Sequence, residues 1–300
     1  MHEKAKVKNK SETQTEPRAS PPVAERWTTV DGYRMRYLCS GTGPALVLVH
    51  GLLGYAFSWR YALPVLSEKA TVYAVDMLGA GFSDRHSGMD CSLRANAGRL
   101  LRFLELVGLE AFDLLGTSYG GTVAMMAAAL APERVRRLIL VGPVDPWSGH
   151  GNRMAAFLGH RLVSAIFLRL APLLQFTHGY WLRREYGDKR RIRPGVLESY
   201  RVPFSFPGAF EYELSVLRLW DQGFRELESL LPRIGHIPTL LLWGSKDRTI
   251  RPGSTMRLRR QFENCSTAVF DGVGHLPYEE VPEEFNRVVA EFLSEDGSSL

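Results

Sequence analysis

Leu114-Leu115-Gly116-Thr117-Ser118-Tyr119-Gly120-Gly121 joins an apolar run to a small-residue, helix-forming segment, Thr122-Val123-Ala124-Met125-Met126-Ala127-Ala128-Ala129. Strand, sharp turn and helix in that order hold a serine at the apex of a strained turn. Gly116 and Gly120 suit such a turn, because a Cβ at either would collide where strand and helix nearly touch. Gly121 is expected to let the helix lie close on the sheet. The Ser118 hydroxyl is then exposed above the strand ends, beside a helix N-terminus whose partial positive charge favours a developing anion. A glycine-rich turn with an incidental serine would read the same way, so the flanking chain must decide.

Downstream, Val135–Val141 reads as a short buried strand, and then the alternation of strands and helices stops. It resumes with a strand at Thr239–Trp243, a helix near Ser254–Phe262, a strand at Ser266–Phe270 and a helix over Pro282–Leu293. Upstream, Asp31-Gly32 between Trp27–Val30 and Tyr33–Leu38 predicts a two-residue hairpin. Ala45–Val49 and Thr71–Val75 are apolar runs of the kind buried in parallel sheets. Phe57–Leu66 has helical spacing, and Leu93, Leu100, Leu101, Leu104 and Val107 predict a helix ending at Gly108. The pattern predicts an α/β fold: a doubly wound, mostly parallel, eight-stranded sheet carrying one helical insertion after strand 6. The expected divisions are a disordered polar tail over 1–26, a core over 27–143 and 238–300, and an insertion over 144–237 that can fold over Ser118.

Three hundred residues, 45% hydrophobic, can bury one large core with an insertion. The net charge of +5 is modest and gathers in no nucleic-acid-binding motif, so no nucleic-acid partner is expected. Cys39, Cys91 and Cys265 are far apart and form no C-x-x-C pair, which argues against disulfides and a zinc site and fits a reducing, cytoplasmic compartment. No metal or cofactor is expected. The first 26 residues lack the apolar centre of a secretory signal, and no run is long enough for a membrane span.

A serine hydroxyl needs a neighbouring base, and the base needs an orienting group. In the chain order serine, acid, histidine, Asp247 follows one late strand in Leu242-Trp243-Gly244-Ser245-Lys246-Asp247, and His275 follows the last in Gly272-Val273-Gly274-His275-Leu276-Pro277. Both fall at the carboxyl ends of parallel strands, the edge where open α/β sheets bind ligands. Asp145, after the strand that precedes the insertion, and Asp271, four residues before His275, are rival acids. Asp271 suits turn capping better, and Asp247 is preferred to Asp145.

With these motifs in place, the chain from about Trp27 to Leu293 resembles the α/β-hydrolase family. The resemblance rests on the His50-Gly51 loop, Gly-Ala-Gly-Phe-Ser at 79–83, the Ser118 turn, Trp-Gly-x-x-Asp at 243–247 and Gly-His-x-Pro at 274–277. It implies a catalytic triad of Ser118, Asp247 and His275 beneath a cap formed by the insertion. The oxyanion hole would be the backbone N–H groups of Tyr119 and Leu52. His50 would hold its loop in shape, and Asp76 and Ser83 would brace the glycine-rich loop. Apolar residues at helical spacing in the insertion (Phe157, Leu158, Ile166, Phe167, Leu170) should mostly form its core, with a minority lining an apolar pocket. Phe57, Trp59, Trp147 and Phe157 are the candidate pocket walls.

Serine at 118 departs from the aspartate nucleophile of epoxide hydrolases and haloalkane dehalogenases. His-Gly-Leu-Leu-Gly at 50–54 departs from the His-Gly-Ser-Gly-Pro loop of carbon–carbon bond hydrolases. The resemblance therefore implies a carboxylesterase- or lipase-like enzyme acting on a small-molecule ester, as a monomer or homodimer. A lactone, thioester, amide or carbon–carbon bond hydrolase is the alternative, and a slow-turnover ligand receptor the alternative of another class. The basic run Arg183–Arg193 reads as a solvated face, with peripheral lipid contact through the cap as its second reading.

Overall fold

In the computed structural model, residues 21–149, 152–174, 177–251, 253 and 255–294 are described. Among them, eight strands form one sheet: β1 (Ala24–Val30), β2 (Tyr33–Ser40), β3 (Ala45–Val49), β4 (Thr71–Val75), β5 (Phe112–Thr117), β6 (Val135–Val141), β7 (Thr239–Gly244) and β8 (Cys265–Phe270). Their order across the sheet is β1-β2-β4-β3-β5-β6-β7-β8. β1 and β2 pair antiparallel, β2 runs antiparallel to β4, and every pairing from β4 to β8 is parallel. The hairpin turn forms where it was expected, with Asp31 at φ 52° and Gly32 at φ 84°. Both positive angles are what a two-residue turn between twisted strands requires.

The central strands are buried on both faces because side chains alternate along them. Val47, Val49, Leu114, Leu138, Leu140 and Leu241 point into one apolar cluster. Their neighbours Leu46, Leu48, Leu115, Ile139, Leu240 and Leu242 point into the other. Helices Leu93–Leu106, Tyr119–Leu130 and Trp220–Leu230 cover the first face, and helix Pro282–Ser294 covers the second. Ser92 caps the first of these helices by accepting from the Ala95 N–H (3.2 Å), and Gly108 ends it at φ 78°.

Three expectations need correcting. The tail assigned to 1–26 is strand from Ala24 onward, paired with Cys39; its first twenty residues lie outside the described ones. Phe57–Leu66 is a short 3-10 turn (Ala56–Trp59) followed by one helical turn (Leu63–Leu66). Pro64 has no N–H, and its ring would strike the Arg60 carbonyl in a continuous helix. Between β6 and β7 the chain forms helices Asn152–Gly159, Arg161–Leu174, His178–Glu185, Val196–Arg201, Ala209–Arg218 and Trp220–Leu230. Leu158 is buried there and Phe167 partly so, but Phe157, Ile166 and Leu170 face solvent and form no core.

Candidate active site

Ser118 sits between the end of β5 and helix Tyr119–Leu130 at φ 53°, ψ −124°. An L-residue rarely adopts such angles, and the surroundings enforce them. A Cβ on Gly116 would lie 2.3 Å from the Gly120 carbonyl oxygen, and one on Gly120 would lie 2.2 Å from that of His50. Both obstacles are backbone and cannot yield. The Ser118 N–H donates to the Val141 carbonyl (2.9 Å), while the Ser118 carbonyl accepts from Gly121 (3.0 Å) and Val144 (3.2 Å). The turn is thereby locked to the end of β6. Ser118 stays half-buried between buried neighbours.

Asp247 and His275 meet at the ends of β7 and β8. His275 Nδ1 and Asp247 Oδ2 are 2.7 Å apart, and both side chains are buried. The other Asp247 oxygen accepts from the backbone N–H groups of Thr249 and Ile250, each at 2.8 Å. That fixes the carboxylate in the plane from which it grips the imidazole. Burial by itself would lower the His275 pKa, but the charge and hydrogen bond of Asp247 outweigh it and raise the pKa above its ordinary value. Nε2 is buried and makes no hydrogen bond to Ser118 or to any other of the described residues. Bonds of this kind commonly tighten only when substrate binds. Gly142, directly after β6, leaves room for the pair: a Cβ there would lie 3.1 Å from both Asp247 Oδ2 and His275 Nδ1. Serine, histidine and aspartate are thus gathered around the end of β6.

Both rival acids accept hydrogen bonds of their own. Asp145 accepts from the Trp147 N–H (2.8 Å), and Asp271 accepts from the Ser245 hydroxyl (3.0 Å). Gly51 brings the loop after β3 against the serine, since a Cβ on it would lie 3.0 Å from Ser118 Cβ. His50 Nε2 accepts from the Met77 N–H (3.1 Å), so its other nitrogen donates to the Gly51 carbonyl (2.8 Å). This neutral tautomer is reinforced by burial, which lowers the His50 pKa. Tyr119, as the first helical residue, has an N–H with no intrahelical acceptor. Leu52 lies in the loop that Gly51 carries to Ser118. Asp76 is fully buried and accepts from the N–H groups of Ala56 (2.7 Å) and Phe82 (2.9 Å) and from Arg36 (3.1 Å), bracing the glycine-rich loop.

The expected wall residues are not gathered at the serine. Trp59 is entirely buried against Tyr278 in the second cluster. Phe57 stacks on Tyr55 beside a groove of about 330 Å³ whose lining contains no triad residue. Trp147 is held by Glu228 (2.8 Å) and lies under Arg257, and Phe157 faces solvent. The cavity next to the serine loop is instead bordered by Leu52, Met77, Tyr119, Tyr212 and Glu213. Its volume is about 10 Å³, close to that of one water.

Glu213 escaped the sequence reading. It lies on helix Ala209–Arg218, where it reads as one more polar residue, yet it is buried. One of its oxygens accepts from the Leu53 N–H (3.1 Å), and the other is buried and makes no hydrogen bond to any of the described residues. Desolvation pushes its pKa up to about 8, against the lowering effect of that hydrogen bond and of the Arg85 charge. Glu280 was missed too. Its carboxylate accepts from Gly187, Asp188 and Gly274 N–H groups at 2.6–3.1 Å, tying the insertion to the His275 loop.

An elbow serine, a buried aspartate–histidine pair and a loop pressed on the serine, all at the carboxyl ends of parallel strands, define a hydrolase-type site. The chain belongs to the alpha/beta hydrolase family: the family's fold model matches residues 44–282. It is 28% identical over 286 residues to a 2-hydroxymuconate semialdehyde hydrolase of Pseudomonas sp. (strain CF600), covering 93% of this chain and 96% of that protein. It is 27% identical to haloalkane dehalogenase 2 of Mycobacterium bovis, covering 90% and 95%. A crystal structure of a membrane phospholipase A superposes with a TM-score of 0.75 at 26% identity, covering 90% of this chain and 86% of that one. Relatives thus include the carbon–carbon bond and dehalogenase types that residues 118 and 50–54 argued against, so likeness along the chain does not select one substrate class.

Proposed function

We propose that the protein is a serine hydrolase of carboxylic esters of small to medium size, with the helical insertion as a cap over Ser118. The observation that carries the reading is a half-buried serine in a strained turn, with a buried, aspartate-bound histidine at the same edge of the sheet. Ser118 Oγ attacks the ester carbonyl carbon as its proton passes to His275 Nε2. The Tyr119 and Leu52 N–H groups hold the oxyanion that forms, in a site where fixed donors act more strongly than water. Collapse breaks the carbon–oxygen bond, and Nε2 returns the proton to the departing alkoxide. A water then attacks the acyl-enzyme with His275 again as base, releasing the acid and restoring Ser118. Asp247 keeps the imidazole in the tautomer with Nε2 free and stabilises the imidazolium.

Serine at 118 supports this chemistry over dehalogenation, which in the resembling enzymes uses an aspartate. The second reading, hydrolysis of a carbon–carbon bond next to a carbonyl group, is favoured by the Pseudomonas relative. A fluorophosphonate probe read by intact mass should add one label to the native protein and none to Ser118→Ala. Absence of labelling in folded protein would sink the serine hydrolase reading. Turnover of p-nitrophenyl esters from acetate to palmitate, set against a vinylogous diketone, decides between the two substrates. Ser118→Ala should lower the preferred activity by roughly 10⁴-fold or more.

A further inference from the structure

The helices that follow β6 expose an apolar face that the reaction does not use. Leu162, Ile166 and Leu170 recur along one side of helix Arg161–Leu174 and are 65%, 52% and 45% exposed. Its opposite side is turned inward, with Ser164 and Ala171 buried and Phe167 edge-on to Phe210. The next helix exposes Tyr180 and Trp181 at 60% and 55% while Leu182 is buried. Large apolar side chains grouped on the outside of a protein mark an interaction surface.

The charge pattern says what covers it. From Pro146 to Arg184 the chain carries five arginines (Arg153, Arg161, Arg169, Arg183 and Arg184) and no aspartate or glutamate. Arg169, Arg183 and Arg184 are exposed, each on a helix that also exposes apolar or aromatic residues. The arginines at 190, 191 and 193 differ, since they face Asp188, Glu280 and Glu283. A helix with an apolar face, flanked by arginines and by tyrosine and tryptophan, fits the boundary between lipid headgroups and acyl chains. An exposed arginine near an anionic leaflet contributes roughly fivefold in partitioning. No helix among the described residues is long and apolar enough to cross a membrane, so contact would be peripheral.

We propose that the outer face of helices Arg161–Leu174 and His178–Glu185 docks the protein onto an anionic lipid surface. The proposal stands on exposure and charge alone and does not depend on the ester reading. The full chain should be sedimented with vesicles of phosphatidylcholine alone and of phosphatidylcholine with phosphatidylserine, at low and high salt. It should partition at least about tenfold more onto the anionic vesicles, and salt should weaken the binding. The pair Ile166→Asp with Leu170→Asp, and separately Arg183→Glu with Arg184→Glu, should each lower partitioning by about tenfold or more while leaving the circular-dichroism melt unchanged. Equal binding to uncharged vesicles, no binding to either, or insensitivity to both pairs would overturn the proposal. A dimer broken by the apolar pair, with no vesicle binding, would overturn it too and assign the face to a second copy of the chain.

Discussion

His275 and Glu213 are both buried, and burial disfavours charge on each. For Glu213 desolvation wins and its pKa rises to about 8; for His275 the adjacent Asp247 carboxylate reverses the effect of burial. A base must be neutral to accept a proton, so ester hydrolysis should fall as pH drops through the raised His275 value. The midpoint of kcat/KM should lie above 6.5, the ordinary imidazole value. Asp247→Asn removes the charge but not the burial, so that midpoint should move down, with a rate loss of roughly 10⁴-fold at neutral pH. A midpoint unmoved by Asp247→Asn would separate the aspartate from the base. Glu213 changes stability with the opposite consequence for pH. The folded protein holds this proton between 4.5 and about 8 whereas the unfolded chain does not, so its contribution is complete below 4.5 and is lost as pH rises through about 8. Glu213→Gln should flatten that loss in chemical denaturation curves taken from pH 5 to 9. If the curves keep their slope, another group carries the proton.

The turn, the strand ends and the chain order were legible in the sequence because each obeys a local rule. Glycines at 116 and 120 are demanded by backbone atoms 2.2–2.3 Å from where a Cβ would sit; Asp247 follows an apolar run that forms a buried strand, and His275 follows a half-exposed strand at the sheet edge. Glu213 and Glu280 were not legible, because a carboxylate's meaning depends on which backbone N–H groups the fold carries to it. Glu280 is the more consequential at the scale of elements. Its carboxylate satisfies N–H groups at Gly187 and Asp188 in the insertion and at Gly274 beside His275. Glu280→Ala should leave those donors short of partners and cost about 3 kcal/mol in urea denaturation. It should also lower kcat more than it raises KM, since the His275 loop loses its anchor. A loss below about 1 kcal/mol would mean that water replaces the carboxylate without cost.

On the scale of the whole molecule, the break in alternation at Pro143 suggests a separate unit, but packing joins that unit to both faces of the sheet. Tyr212, Leu214, Leu217, Trp220 and Phe224 belong to the cluster on one face, and Leu182, Tyr186, Val196 and Tyr200 to the cluster on the other. The backbone is stitched in as well. The Glu185 carbonyl accepts from the His275 N–H (2.6 Å), the Ser199 carbonyl accepts from the Tyr55 hydroxyl (3.0 Å), and Glu213 accepts from Leu53. Pulling the insertion away would expose apolar surface on both clusters and leave buried donors unpaired. A sequence pattern records where helices and strands alternate but not which buried faces they share, so this union could not be read before the fold. The expected consequence is one cooperative transition. Far-ultraviolet circular dichroism, which follows all helices, and tryptophan fluorescence, which reports Trp147, Trp181 and Trp220 in the insertion together with Trp27, Trp59 and Trp243 in the core, should give the same urea midpoint. An earlier fluorescence change, with most of the helical signal retained, would show the insertion letting go first and would return it to the status of an independent lid.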